Sequence, residues 1–144
     1  KRGCFEAFAS GPSIREIYLD HLKGSNDSFL LNYVNNDVNS IDTPLIFALM
    51  DKDEISRNTL DFVADKIGIG LSIAVNLLNP EVVVIGGGLA EPLKGIWDNV
   101  KKSFFRNTLE IPAKSVKFEF SSLENDGVAI GSAILAARMS EGPK

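Results

Sequence analysis

One cysteine in 144 residues leaves no internal disulfide to be made, and a reducing, cytoplasmic setting is expected. No apolar run approaches the roughly 20 residues that a membrane span needs. The first residues, Lys1-Arg2-Gly3-Cys4, put no apolar segment behind their charges, so no secretory leader is expected. Basic charge is not in excess: 15 Lys and Arg stand against 19 Asp and Glu, a net charge of -4, without the basic stripe of a general nucleic-acid binder. Two phosphate motifs are also missing, since no G-x-G-x-x-G follows a strand and no Gly-Lys-Ser/Thr closes a P-loop. Repeats and low-complexity tracts are absent. The lack of an initiating Met leads us to expect a piece of something longer.

What remains is an ordinary globular composition, 44% hydrophobic and 24% charged, long enough for one domain over residues 1–144 with a core of its own. The chain is organised around Asn79-Pro80-Glu81-Val82-Val83-Val84-Ile85-Gly86-Gly87-Gly88. The β-branched run Val82 to Ile85 is apolar throughout, which predicts a short strand buried on both faces. Helical sequence on either side makes it a strand of an α/β sheet. A glycine-rich exit at a strand's carboxyl end is where open α/β sheets bind ligands. Gly86, Gly87 and Gly88 are therefore a ligand-facing turn or, on the plainer alternative, a tight one.

Ahead of that strand, Glu54 to Leu78 carries Leu60, Val63, Ile67, Leu71, Ala74 and Leu78 at helical spacing. Gly68 and Gly70 interrupt it, each costing about 1 kcal/mol relative to Ala. Such glycines point to a close approach, by another backbone or by a ligand. Near the start, Gly3 to Gly11 predicts a short helix stopped by glycine. Ser13 and Glu16 read as the capping box of the next helix, and His21, on or beside its apolar stripe, is given a packing or surface role rather than a ligand role. Residues 25 to 42 are rich in Asn, Asp and Ser and predict little regular structure, and Thr43-Pro44 starts another helix. Beyond the glycines, Pro92 opens a helix with Leu93, Ile96, Trp97, Val100 and Phe104 inward. Val116 to Phe120 alternates as a strand, and Gly127 to Arg138 is a helix whose Ala, Gly and Ser residues permit close packing.

Three segments together resemble the ROK family (bacterial repressors, open reading frames and sugar kinases). Gly3-Cys4-Phe5-Glu6-Ala7-Phe8-Ala9-Ser10-Gly11 is similar to that family's G-C-x-E-A-[YF]-A-S-G stretch. Ile67-Gly68-Ile69-Gly70, with Asn76 to Gly88, resembles its L-G-x-G and N-x-x-x-P-x-x-[IV]-[IV]-[IV]-G-G segments. Gly127-Val128-Ala129-Ile130-Gly131-Ser132-Ala133 looks like its closing helix, although Leu123-Glu124-Asn125-Asp126-Gly127 departs from the usual L-G-x-x-A.

The resemblance implies an α/β, actin-like (ribonuclease-H-like) lobe, the carboxyl-terminal half of a protein that clamps sugar and ATP against an amino-terminal lobe. It implies a hexose or N-acylhexosamine kinase using ATP and Mg²⁺, pairing as a homodimer. The alternative is a sugar-sensing repressor that reads DNA through a part upstream of this chain. By the same resemblance Glu6 accepts hydrogen bonds from sugar hydroxyls. Gly86, Gly87 and Gly88 with Gly68 and Gly70 lie on the nucleotide side. Cys4 is the last cysteine of a structural zinc segment, C-x-C-G-x-x-G-C, whose other ligands fall before Lys1. The catalytic Asp would also lie upstream, so no residue here is assigned its role.

Overall fold

The computed structural model describes residues 3–25, 27–123 and 126–140. The departure from the family's closing segment at Glu124-Asn125 falls outside these residues.

The longest helix, α5 (Glu54–Leu78), has the limits its sequence predicts. Both ends are capped. The Asp53 carboxylate accepts from the Ser56 amide at 2.8 Å, and Asn79 closes the other end in the left-handed region at φ 44°, which Asn tolerates. Around it pack α1 (Glu6–Ala9), α2 (Gly11–Leu22), α4 (Thr43–Ala48) and α7 (Trp97–Asn107). Ile14 and Tyr18 of α2, Ile46 of α4, Leu60, Val63 and Ile67 of α5, and Val100 and Phe104 of α7 are buried. Each such side chain contributes about 1.5–3 kcal/mol relative to exposure.

The core is thus helix on helix, with the sheet at one flank. β1 (Val82–Ile85) runs parallel to β2 (Lys117–Phe120), Val83 opposite Phe118 and Ile85 opposite Phe120. The connection passes through α6 (Ala90–Leu93), α7 and α8 (Glu110–Ser115), a helical crossover of the kind parallel strands require. Trp97 holds the sheet to α7: its ring meets Phe118 and Phe120 edge-on, with centroids 5.4 and 5.0 Å apart. No described helix is long and apolar enough to cross a membrane.

Several expectations are corrected. β1 is not buried on both faces: Val83 and Ile85 turn inward, while Val82 is 41% and Val84 62% exposed. An all-apolar strand is compatible with two covers, and the described residues supply one. Gly11 does not stop a helix but stands at the first position of α2. Ser10, not Ser13, is the cap, its hydroxyl accepting from the Ser13 amide. The Asn- and Ser-rich stretch holds a further helix, α3 (Phe29–Tyr33), capped by Ser28, and a 3-10 turn at Val38–Ser40 capped by Asp37. Residues read as loop composition are there the caps of short helices. Finally α9 (Gly127–Ser140) forms but buries none of its residues, so its small side chains serve no close packing among the described residues.

Candidate functional site

α1 is a single turn that presents Glu6 at the rim of an open cavity of about 590 Å³, whose wall includes Cys4, Ser10, Ser13 and Glu16. Its backbone is fixed from below. The Glu6 carbonyl accepts from the Ser10 amide at 3.2 Å and from the Ser13 hydroxyl at 3.0 Å, and the Ser10 and Ser13 hydroxyls share a hydrogen bond at 2.8 Å. One pair of serines therefore starts α2 and ties α1 to it. The Glu6 side chain is exposed and has no hydrogen-bond partner among the described residues; its carboxylate can accept from two donors of a polyhydroxyl ligand, where a charged acceptor makes the stronger bonds. Ser10, Ser13 and Glu16 belong to this wall; the sequence marks Ser13 and Glu16 only as capping residues and gives Ser10 no role of its own, since capping and ligand contact use the same polar atoms.

α2 is in turn locked to α5 through a buried polar cluster. The Asp53 carboxylate is 1% exposed and accepts from the Tyr18 hydroxyl, the Ser28 hydroxyl, the Leu30 amide, and the amide and hydroxyl of Ser56. Burial pushes the Asp53 carboxyl up, but the hydrogen bonds from Ser56, Ser28 and Leu30 outweigh it, and the group lies below the usual carboxylate range. Burial, reinforced by the Asp53 charge and opposed by the Ser28 hydrogen bond, pushes the Tyr18 phenol up to about 12. His21 is exposed at the surface of α2, with its Nδ1 at 2.9 Å from the Thr59 hydroxyl and its ring edge-on to Phe62.

At the other end of the predicted site, the strand exit has one backbone that needs glycine. Gly87 lies at φ 92°, and a Cβ placed on it would meet nothing within 4 Å. Its carbonyl accepts from the Ala90 amide at 3.0 Å, closing the turn into α6. Gly86 lies against Ser121 just past β2, where a Cβ would make an ordinary contact at 3.4 Å. At Gly87, then, bare backbone faces open space at the carboxyl end of β1.

Gly68 and Gly70 are placed differently. The atoms nearest a Cβ on Gly68 belong to α7, with the Val100 carbonyl oxygen at 2.7 Å; those nearest Gly70 belong to the Phe5 ring. The close approach inferred from these glycines is therefore a helix backbone at one and a side chain at the other. Neither contact joins them to the Gly86–Gly88 turn. Cys4 is an exposed free thiol, and among the described residues no three His, Cys, Asp or Glu side chains gather to hold a metal ion. The described residues thus do not fit a zinc site by themselves, since a structural site takes four ligands.

The chain has relatives among both kinases and repressors. It is 29% identical over 133 residues to a glucokinase of Halalkalibacterium halodurans, an alignment covering 91% of this chain and 40% of that protein. It is 26% identical over 140 residues to the DNA-binding transcriptional repressor Mlc of Escherichia coli, covering 97% of this chain and 33% of the repressor. The chain thus spans less than half the length of these relatives. Among solved structures, a ROK family glucokinase from Streptomyces griseus, crystallised with glucose and AMPPNP, superposes with a TM-score of 0.79 at 22% identity, over 94% of this chain and 45% of that one. This likeness makes the fold that of an actin-like α/β lobe. The pattern of the ROK family matches residues 1–139, and the chain belongs to the ROK family.

Proposed function

We propose that the chain is the carboxyl-terminal lobe of an ATP-dependent sugar kinase, acting on a hexose or N-acylhexosamine. The observation that carries this reading is the Gly87 turn, bare, open and set at positive φ at the end of β1. A repressor that senses sugar alone has no use for such a turn, whereas a nucleotide needs a backbone it can approach without side chains. Glu6 supplies the sugar side, its carboxylate accepting from two hydroxyls and so orienting the sugar for in-line attack. Positioning and electrostatics carry most of the rate in phosphoryl transfer. On this reading the catalytic Asp and the first phosphate loop belong to an amino-terminal lobe outside these 144 residues. ATP arrives with Mg²⁺, which neutralises charge on the phosphates.

The repressor among the relatives supports a second reading, a sugar-sensing repressor; on that reading Glu6 would keep its role and nucleotide would have none. The deciding experiment uses the full-length parent protein. ATP-dependent phosphorylation is measured on glucose, N-acetylglucosamine and N-acetylmannosamine, with Glu6→Gln beside the wild type. Turnover is expected on one of these sugars. The Glu6→Gln change is expected to raise the Michaelis constant for that sugar at least about tenfold, or roughly 1.4 kcal/mol, and to leave that for ATP in place. No turnover, with sugar-dependent release from operator DNA instead, would establish the repressor.

A further inference from the structure

α1 is one turn long and no residue in it is fully buried; Ala9 packs against the core and the Ser13 hydroxyl holds the Glu6 carbonyl. Two rings tie it to α5. Phe8 meets Phe62 edge-on, centroids 6.1 Å apart. Phe5, the residue before Glu6, lays its ring on the bare backbone of Gly70. A Cβ there would stand 2.7 Å from Cδ2 and nearer still to Cε2, well inside the roughly 3.5–4.0 Å of an ordinary carbon contact. Two positions on a helix are about 200° apart around its axis. Gly68 and Gly70 therefore serve opposite neighbours, α7 on one side and the Glu6 segment on the other.

We infer that Gly70 is a positioning residue of the sugar side: its bare backbone seats the Phe5 ring, and the seat sets the height and direction at which α1 presents Glu6 to the cavity. The inference rests on the reading of Glu6 as a sugar contact, and it moves Gly70 from the nucleotide side to the sugar side. A methyl group at Gly70 displaces the ring rather than the fold. Phe5 is 51% exposed and has solvent to swing into, and the better helix propensity of Ala opposes the lost contact. Phe5 directly precedes Glu6, so a displaced ring turns the entry to α1 against the Ser13 anchor and re-aims the carboxylate.

The test is Gly70→Ala in the full-length parent protein, alone and with Phe5→Leu, which withdraws the outer ring carbons. The probe is whichever of glucose, N-acetylglucosamine and N-acetylmannosamine the wild type phosphorylates fastest. Gly70→Ala is expected to raise the Michaelis constant for sugar about fivefold or more, with that for ATP unchanged, and Phe5→Leu in the same chain to recover most of the loss. A rise confined to ATP, no change in either constant, or a double variant no better than the single one would each overturn the inference. Should Gly70→Ala fail to fold, Phe5→Ala alone empties the seat; the same sugar-selective loss is then expected, and its absence overturns the inference. Glu6→Gln in parallel separates the two failures. If it leaves the sugar constant unchanged, the Glu6 reading falls and the inference with it. If Glu6→Gln acts and Gly70→Ala does not, only the seat is wrong.

Discussion

Gly68 lies so close to α7 that a Cβ on it would come 2.7 Å from the carbonyl oxygen of Val100, with the Phe104 amide nitrogen at 2.8 Å and the Ser103 Cβ at 2.6 Å. Two helices touch there backbone to backbone. The crossing is pinned beside the contact: the Ser103 hydroxyl donates to the Asp65 carbonyl and carboxylate, and Arg106 reaches the same carboxylate at 2.6 Å. The Ser103 hydrogen bond, with Lys66 and Arg106 adding to it against some burial, holds the Asp65 carboxyl below its ordinary range.

Gly68→Ala is therefore expected to destabilise, although helix propensity alone favours Ala. The methyl group meets backbone rather than a movable side chain, so α7 must shift as a unit. Overpacking of this kind costs about 1–3 kcal/mol. Urea denaturation of the chain checks it, and a variant as stable as wild type would show that the helices separate freely.

Asp53→Asn removes the buried acceptor that joins α2, α3 and α5. An amide offers one acceptor oxygen where the carboxylate offers two, and places an NH₂ among donors. We expect a loss of at least about 2 kcal/mol at neutral pH, since hydrogen bonds to a charged group are the stronger ones. The pH dependence follows from the sign of the shift. The folded carboxyl ionises at lower pH than the unfolded one, so its contribution is full above about pH 4 and is lost as pH falls below that. Denaturation at pH 7 and pH 3 should thus separate wild type from variant widely at the first and less at the second.

Gly87→Val tests the open turn in the full-length parent protein. A β-branched residue at φ 92° is strained by about 1–3 kcal/mol, so the melting temperature should fall whatever the turn binds. If the bare backbone faces nucleotide, the Michaelis constant for ATP rises at least about tenfold, roughly 1.4 kcal/mol, while that for sugar holds. Strain without any change for ATP would make the turn structural and bring the repressor reading forward.

Removing residues 127–144 should leave the helical core intact. Val128, Leu135 and Met139 of α9 are 82%, 60% and 75% exposed, and the helix buries nothing. The shortened chain is expected to melt within about 2 °C of the original, less than a 1 kcal/mol change would produce. A larger fall would mean that α9 packs on the core in solution.

Elements governed by local chemistry were legible in the sequence. The limits of α5 follow from periodic Leu, Val and Ile residues between a capping Asp53 and a left-handed Asn79, all neighbours along the chain. β1 and β2 were readable for the same reason, as was the inward stripe from Leu93 to Phe104. The family was legible too, because its motifs keep residue order. Tertiary structure alone decided what each residue faces. A glycine in a helix announces a close approach without saying whose, and only packing gave Gly68 to α7 and Gly70 to Phe5. A strand of four apolar residues permits two covers, and only the placement of the helices left Val82 and Val84 in the open. Spacing and propensity act within a few residues, whereas the partner of a surface comes from chain distant in sequence, which no local pattern encodes.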